Sequence, residues 1–334
     1  MARWLLFSLI AATSLPAAEY KLKVSPETLA WGYYWAGAKP VLTVRSGDVV
    51  EFQTVSPQTL ERAGLPADQI QKELRDIYAG VPQEKRGPGG HLLTGPVAIE
   101  GAQPGDVLEV RIREIRMDVP YAYNTIGRNG FVSDLFPTAI TKIIPLDRKR
   151  KIGHFGPGID LPLKPFFGSM GVAPPPAAGK VNSAPPGIHA GNLDNKELVA
   201  GTTLFIPVHA TGALFEAGDG HAGQGNGEVD ITAMETSLTG VFQFILHHGR
   251  HLDWPRAETP THYITMGLNP DLTQAARICT LETIDFLVKE MKLSREDAYA
   301  LTSVAIDLEI TQLVDGTRGV HAMIPKSLFG TAAR

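Results

Sequence analysis

Residues 104–115 read PGDVLEVRIREI. After a Pro-Gly-Asp turn, Leu108, Val110 and Ile112 fall on one face, and Glu109, Arg111 and Arg113 on the other. A period of two with charge opposite predicts a β-strand with one buried and one wet side. RSGDVVEFQTV (45–55) repeats the pattern with Val50, Phe52 and Thr54 together, and AGTTLFIPVHA (200–210) with Leu204, Ile206 and Val208. In the last of these, Pro207 lacks an N–H for the ladder, which predicts an edge strand or a bulge. Three such strands suggest a β-sandwich.

The composition agrees. The chain has 334 residues, 43% of them hydrophobic, enough for one large core or two smaller ones. Its 34 glycines and 25 prolines favour many turns and few long helices. Net charge is −4 with no Lys/Arg run longer than the four residues of 148–151, so neither nucleic acid nor an anionic membrane is an expected partner. The start, MARWLLFSLIAATSLPAAEY, places Arg3 before an apolar run from Trp4 to Leu15, followed by the small residues Ala17 and Ala18. The run is shorter than the roughly 20 apolar residues of a membrane span, so 1–18 is expected to be a signal peptide. Export to a bacterial periplasm follows, with no membrane contact after cleavage. Cys279 is the sole cysteine, which excludes an intrachain disulfide.

Helices are expected late. Asp271, with Gln274 three residues on, makes an N-cap pattern before a stripe of Ile284, Leu287, Val288 and Met291. Ser294 caps a second helix with Ala298, Leu301 and Ala305 inward. Asp315-Gly316 sits between two strand-like runs as a hairpin turn. The expected organisation is a signal peptide (1–18), a β-sandwich body (19–265) and a C-terminal α/β subdomain (266–334) packed on it. Residues 120–197, crowded with Pro and Gly, are expected to be a long ordered loop over the sandwich.

Chemistry concentrates in GDGHAGQGNGEVD (218–230), too rich in glycine and acid to be a core strand or helix. Asp219 and His221, two apart, point the same way in extended chain and can grip one ion from one side. Carboxylate oxygen with imidazole nitrogen suits zinc or another divalent first-row metal. Gly223, Gly225 and Gly227 allow a tight return that brings Glu228 to the same point. A solvated glycine-rich turn is the alternative. In HAGNLDNKE (189–197), Asp194 either supplies a second carboxylate or forms a turn. His91, in GGHLLTGPV, and the group His247, His248, His251 and His262 are open between structural and functional roles; the H-x-x-x-H register of zinc peptidases is absent. Ser169, in FGSMG, is a minor candidate nucleophile, and Cys279 lies in an expected buried helix.

HLLTGPV (91–97), PGDVLEV (104–110), MGVAP (170–174), GNLDNKEL (191–198), PVHATGALFEAGDGHAGQGNGEV (207–229), RAETPTHYITMGL (256–268) and VDGTRGVHAMIPKSLF (314–329) together resemble the acetamidase/formamidase family over nearly all of residues 20–330. The resemblance implies a β-rich α+β fold, a jelly-roll-like β-sandwich with an added α/β part, and a homo-oligomer. It implies metal-dependent hydrolysis of small linear amides to ammonia and a carboxylate, with zinc and, as a second ion, calcium. It assigns Asp219, His221 and Asp194 to the metal, and Glu228 and His91 to catalysis, Glu228 as the base. Two departures stand out: Asn226 where relatives carry an aspartate, and QTVSPQ (53–58), around Ser56, where they often carry another. Both bear on a second metal ion. The competing reading is an exported metal- or carbohydrate-binding β-sandwich without catalysis.

Overall fold

A computed structural model describes residues 17–56, 64–127 and 129–330. Residues 1–16 of the expected signal peptide, and Pro57 and Gln58 of the second departure, lie outside the described residues.

The strand that opens the sequence reading forms as Val107–Met117 in the interior of a nine-stranded sheet. It pairs antiparallel with Leu238–His247 on one side and Thr203–Pro207 on the other. Val49–Gln53 and Glu19–Leu22 extend one end of the sheet. Arg256–Glu258, His262–Asn269, Arg318–Pro325 and Asp307–Gln312 extend the other. The second large sheet runs Ala190–Asn192, Phe166–Gly171, Phe215–His221, Leu92–Ile99, Leu29–Trp31. Apolar residues of both share one core, including Val50, Phe52, Val110 and Phe242 from the first and Val97, Phe167 and Phe215 from the second. Edge-to-face ring pairs knit them, Phe52 to Phe215 at 5.7 Å and Phe167 to Phe242 at 5.3 Å. The β-rich α+β class expected from the sequence is the class observed.

Four expectations are corrected. Thr203–Pro207 is internal to its sheet, not an edge strand. Its partner Arg256–Glu258 pairs only as far as Phe205, so Pro207 has a neighbour on one side alone, which is how the ring fits. Glu109, placed on the wet face, is buried because His247 and Arg111 each reach it at 2.5 Å. Residues 120–197 are not one long loop but carry several strands. Tyr121–Ile126, Ile140–Asp147, Ile152–Gly156 and Ile159–Pro162 form a four-stranded antiparallel sheet, and Phe166–Gly171 belongs to the sandwich. Finally, the start of the glycine-rich stretch is the end of a fully buried strand, Phe215–His221. Glycine belongs there because a Cβ on Gly218 would lie 2.4 Å from the carbonyl oxygen of Leu92 on the next strand.

Helices Leu272–Lys289 and Arg295–Ala305 are capped as expected: Asp271 accepts from the Gln274 amide at 2.8 Å, and Ser294 from that of Asp297 at 3.0 Å. The first covers the strands His262–Asn269 and Arg318–Pro325 through Ala275, Leu287, Val320 and Ile324, and the second packs on the first. The 265/266 boundary drawn from the sequence falls inside the strand His262–Asn269, and the C-terminal strands continue the nine-stranded sheet. Among the described residues no helix is long and apolar enough to cross a membrane.

Candidate active site

The second sheet delivers the site. Asp219 and His221 share the end of the strand Phe215–His221, and the Nε2 of His221 lies 3.4 Å from Oδ2 of Asp219. Asp194 follows the strand Ala190–Asn192, separated from Phe215–His221 in the sheet by Phe166–Gly171. Glu228 returns on the glycine loop, and Asp194, His221 and Glu228 each offer a ligand atom within 4.8 Å of the others. His91 precedes the strand Leu92–Ile99, with its Nε2 3.9 Å from the same Asp219 oxygen. All five residues singled out from the sequence are thus in one place.

Two more acids join them. Glu235 lies 3.3 Å from His221 Nε2 and completes a second set with Asp219 and His221. Asp315, read from the sequence only as a turn, shares the side-chain amide of Asn192 with Asp194, at 3.2 and 2.8 Å. Asp315 had a visible signal, since an aspartate is a strong turn former whose carboxylate is also free to point inward. Glu235 had none, because no spacing ties it to the glycine stretch. Four of the five acids sit at left-handed backbone angles: Asp194 (φ 49°), Asp219 (57°), Glu228 (41°) and Asp315 (58°). Aspartate tolerates this, glutamate less so, and such strain concentrates at functional sites.

Neighbours fix the imidazoles. Gln224 donates through Nε2 to the Asp194 carbonyl at 2.9 Å, so its Oε1, 2.9 Å from His221 Nδ1, accepts the Nδ1 proton. His91 Nδ1 stands 3.2 Å from the Ser183 carbonyl, which can only accept. Both rings therefore turn Nε2 towards Asp219. This is the arrangement in which an outer hydrogen bond sets a histidine ligand's tautomer.

The electrostatics are strained without a positive ion. Burial, then Asp219 and Asp315, push the Asp194 carboxyl well above its usual range. Burial, then Asp194, Asp315 and Glu235, do the same to Glu228. Burial lifts Glu235 to about 8 and Asp315 to about 6. Burial also opposes ionisation of Asp219, but His91 and His221 outweigh it and hold that carboxyl at about 2. For His221, burial works against the proton, yet Glu235 and Asp219 raise the ring to about 10.

The residues fit a divalent cation. Asp194 Oδ1 and His221 Nε2 are buried without a hydrogen-bond partner. A Cβ at Gly168 would lie 2.4 Å from Asp219 Oδ2 and 2.6 Å from Asp194 Oδ1, so the absent side chain leaves a cradle among the donors. Carboxylate oxygens and imidazole nitrogens are the donors a divalent first-row metal takes, and binding one would displace the extra proton of His221. Beside the cluster lies a hollow of about 470 Å³, lined by Glu228, Gln224, Asn124 and the apolar Ile126, Ile144 and Phe155.

Other candidates fall elsewhere. Ser169 is fully buried and donates to Asn192 Oδ1 at 2.7 Å, so its proton is committed to orienting the amide that holds Asp194, and it is no nucleophile. His247, His248 and His251 pair with Glu109, Asp106 and Asp253, and His262 with Thr261. Asn226 donates to Glu309, away from the cluster. Ser56 bonds the Tyr123 hydroxyl at 2.5 Å. The Cys279 thiol is buried and pushed up to about 12, as suits an inert structural cysteine.

The site belongs to a known lineage. Solved structures align over almost the whole chain: a predicted acetamidase/formamidase from Thermoanaerobacter tengcongensis (TM-score 0.80, 26% identity, 95% of this chain and 99% of that one) and an acetamidase from Bacillus halodurans (0.79, 29%, 92% and 98%). A gamma lactamase from Delftia acidovorans, 22% identical with a TM-score of 0.61, shares the fold. Among curated proteins, the acetamidase of Mycolicibacterium smegmatis is 26% identical over 201 residues, 42% of this chain and 49% of the relative. The formamidase of Methylophilus methylotrophus is 27% identical over 191 residues, 42% and 47%. The chain spans about half the length of these curated relatives. The sequence pattern of the acetamidase/formamidase family matches residues 88–183 and 176–331, and with most of the chain so covered, this protein belongs to the acetamidase/formamidase family.

Proposed function

We propose that the protein hydrolyses linear amides to a carboxylate and ammonia at a divalent-cation centre, with zinc the ion that best suits its donors. One observation carries this reading: Glu228, a buried carboxylate of raised basicity, stands between the acid-imidazole cluster and the hollow. A pure binding module has no use for a basic carboxylate facing an open cavity. The names of the relatives point to the same chemistry.

An amide resists hydrolysis because water is a weak nucleophile and the amine a poor leaving group. When bound, the cation supplies Lewis acidity, lowering the pKa of water to about 7 and polarising a carbonyl. Asp219, His221 and Asp194 hold it, and Glu235, unassigned from the sequence, joins Asp219 and His221. Glu228 accepts a proton from the attacking water as the C–O bond forms, then returns it to the amide nitrogen as the C–N bond breaks. His91, held by Ser183, presents Nε2 as a second group for proton transfer. The apolar wall of Ile126, Ile144 and Phe155 takes the acyl chain.

The reading extends to location and substrate. With residues 1–18 read as a signal peptide, the enzyme works outside the cytoplasm, where small neutral amides that cross membranes need no exported hydrolase. A hollow of about 470 Å³ suits a larger amide than formamide. The exposed apolar run Phe131, Val132, Leu135 and Phe136 favours a homo-oligomer, which light scattering of the purified chain tests.

The experiment is ammonia release from linear amides graded by size, with protein lacking residues 1–18, wild type and Glu228→Gln. We expect kcat/KM to rise above formamide, and Glu228→Gln to keep its metal while losing at least about 100-fold in kcat. Wild-type turnover in Glu228→Gln removes Glu228 as the base. A kcat/KM that falls steadily from formamide upward removes the larger substrate.

A further inference from the structure

We propose a second divalent-cation site, formed by Glu197, Glu309 and His321 beside the glycine-rich loop. Glu309 and His321 face one another in register on the paired strands Asp307–Gln312 and Arg318–Pro325. Glu197 comes from the turn three residues after Asp194. Each offers one ligand atom within 4.8 Å of the other two.

An acid cluster alone is no site; the histidine makes this one. His321 is fully buried, and its Nε2 has no hydrogen-bond partner. Oε2 of Glu309, at 3.7 Å, is beyond hydrogen-bond reach. Nδ1 lies 2.7 Å from Thr311 Oγ1. With the proton on Nδ1, donated to Thr311, the Nε2 lone pair faces two carboxylates, a repulsive arrangement that a cation converts into ligation. With the proton on Nε2, a buried N–H is left unpaired, at the cost of its desolvation. Beside it, Asn226, whose amide donates to Glu309, buries its own Oδ1 without a partner. Lys196, 4.0 Å from Glu197 and with its charge also acting on His321, competes with a bound ion for this group, yet it reaches only one of the two carboxylates. One imidazole nitrogen and two carboxylates suit zinc, or cobalt as its probe. Glu197 and Glu309, about one-third exposed, leave an entry from solvent.

The placement gives this ion a job. Three segments contribute to both centres: Asp194 and Glu197, Glu228 and Asn226, Asp315 and Glu309. The loop is already stitched to the hairpin by Gly227 N–H to the Thr311 carbonyl at 3.0 Å and Leu313 N–H to the Gly227 carbonyl at 2.9 Å. A cation on Glu197, Glu309 and His321 fastens the first and third of these segments directly, and the loop through the Asn226–Glu309 hydrogen bond. It is a structural ion that holds Glu228 in register, and the site stands whether or not the first centre hydrolyses amides.

The test counts ions. Protein lacking residues 1–18 is stripped with chelator, equilibrated with Co2+ alone and analysed for metal per chain, with near-UV circular dichroism to check the fold. The wild type should hold two ions. Glu309→Gln and Glu197→Gln should each lose one and keep the other, and His321→Gln should do the same if it folds. Adding Zn2+ should raise the melting temperature of Asp219→Asn, whose first centre is weakened, but not of Asp219→Asn combined with Glu309→Gln. If Glu197→Gln and Glu309→Gln bind as many ions as the wild type, or the wild type binds a single ion that Asp219→Asn removes, the second site does not exist.

Discussion

A methyl group at position 168 would lie 2.4 Å from one oxygen of Asp219 and 2.6 Å from one of Asp194. No side chain fits there while those carboxylates converge. Gly168→Ala is therefore expected to lower metal content per chain by at least tenfold and turnover with it. It should shift the melting temperature of the stripped protein only slightly, since stripped protein has no ion to lose. Elemental analysis beside a thermal melt checks this, and full metal occupancy in Gly168→Ala contradicts the cradle. At this scale the sequence is informative where geometry is local. Asp219 and His221 are two apart on a strand, and a period of two makes them neighbours whatever the rest of the chain does. Glu235 is brought in by strand pairing that no local spacing encodes, and Asp315 by a distant hairpin whose turn is legible at Asp315-Gly316 but whose approach to the site is not. Ser169 shows the converse: a nucleophile-like FGSMG context dissolves once its hydroxyl is seen bonded to Asn192.

Elements were legible where one face is wet. Val107–Met117 alternates because its outer face meets solvent, so Leu108, Val110 and Ile112 declare themselves. Phe166–Gly171 and Phe215–His221 are buried on both faces, show no alternation, and carry glycines where strands crowd together. The sheet over 121–162 hid because Ile152–Gly156 and Ile159–Pro162 are short and residues 120–197 as a whole are rich in Pro and Gly. Helix starts were legible because a cap is a local device. Removing the Asp271 carboxylate leaves the Gln274 amide without its acceptor, so Asp271→Ala should cost about 1 kcal/mol in urea unfolding of the full chain. A loss below about 0.5 kcal/mol means solvent replaces the cap.

The whole molecule carries a pH dependence apart from the active site. His189 is buried against the ring of Tyr34, and burial, aided by His209, holds its pKa down at about 4. In the unfolded chain it titrates near 6.5. Between these values the unfolded chain binds the extra proton, so stability rises with pH across that window. The contribution, at most about 3 kcal/mol, is complete above 6.5 and is lost as pH falls towards 4. Glu216, whose carboxyl burial raises, acts in the opposite sense: its contribution is present below its unfolded pKa and fades as pH rises. Comparing His189→Phe with wild type isolates the histidine: urea unfolding at pH 7 and pH 4.5 should show a smaller acid loss in the variant, and equal losses contradict the assignment. The central claim, that the cluster of Asp194, Asp219, His221 and Glu228 hydrolyses amides through a bound cation, is tested most directly by one assay. Ammonia release from a linear amide is measured with protein as purified, after chelation, and after Zn2+ is restored. The account predicts that release falls at least tenfold on chelation and returns with zinc; undiminished release from metal-free protein would contradict it.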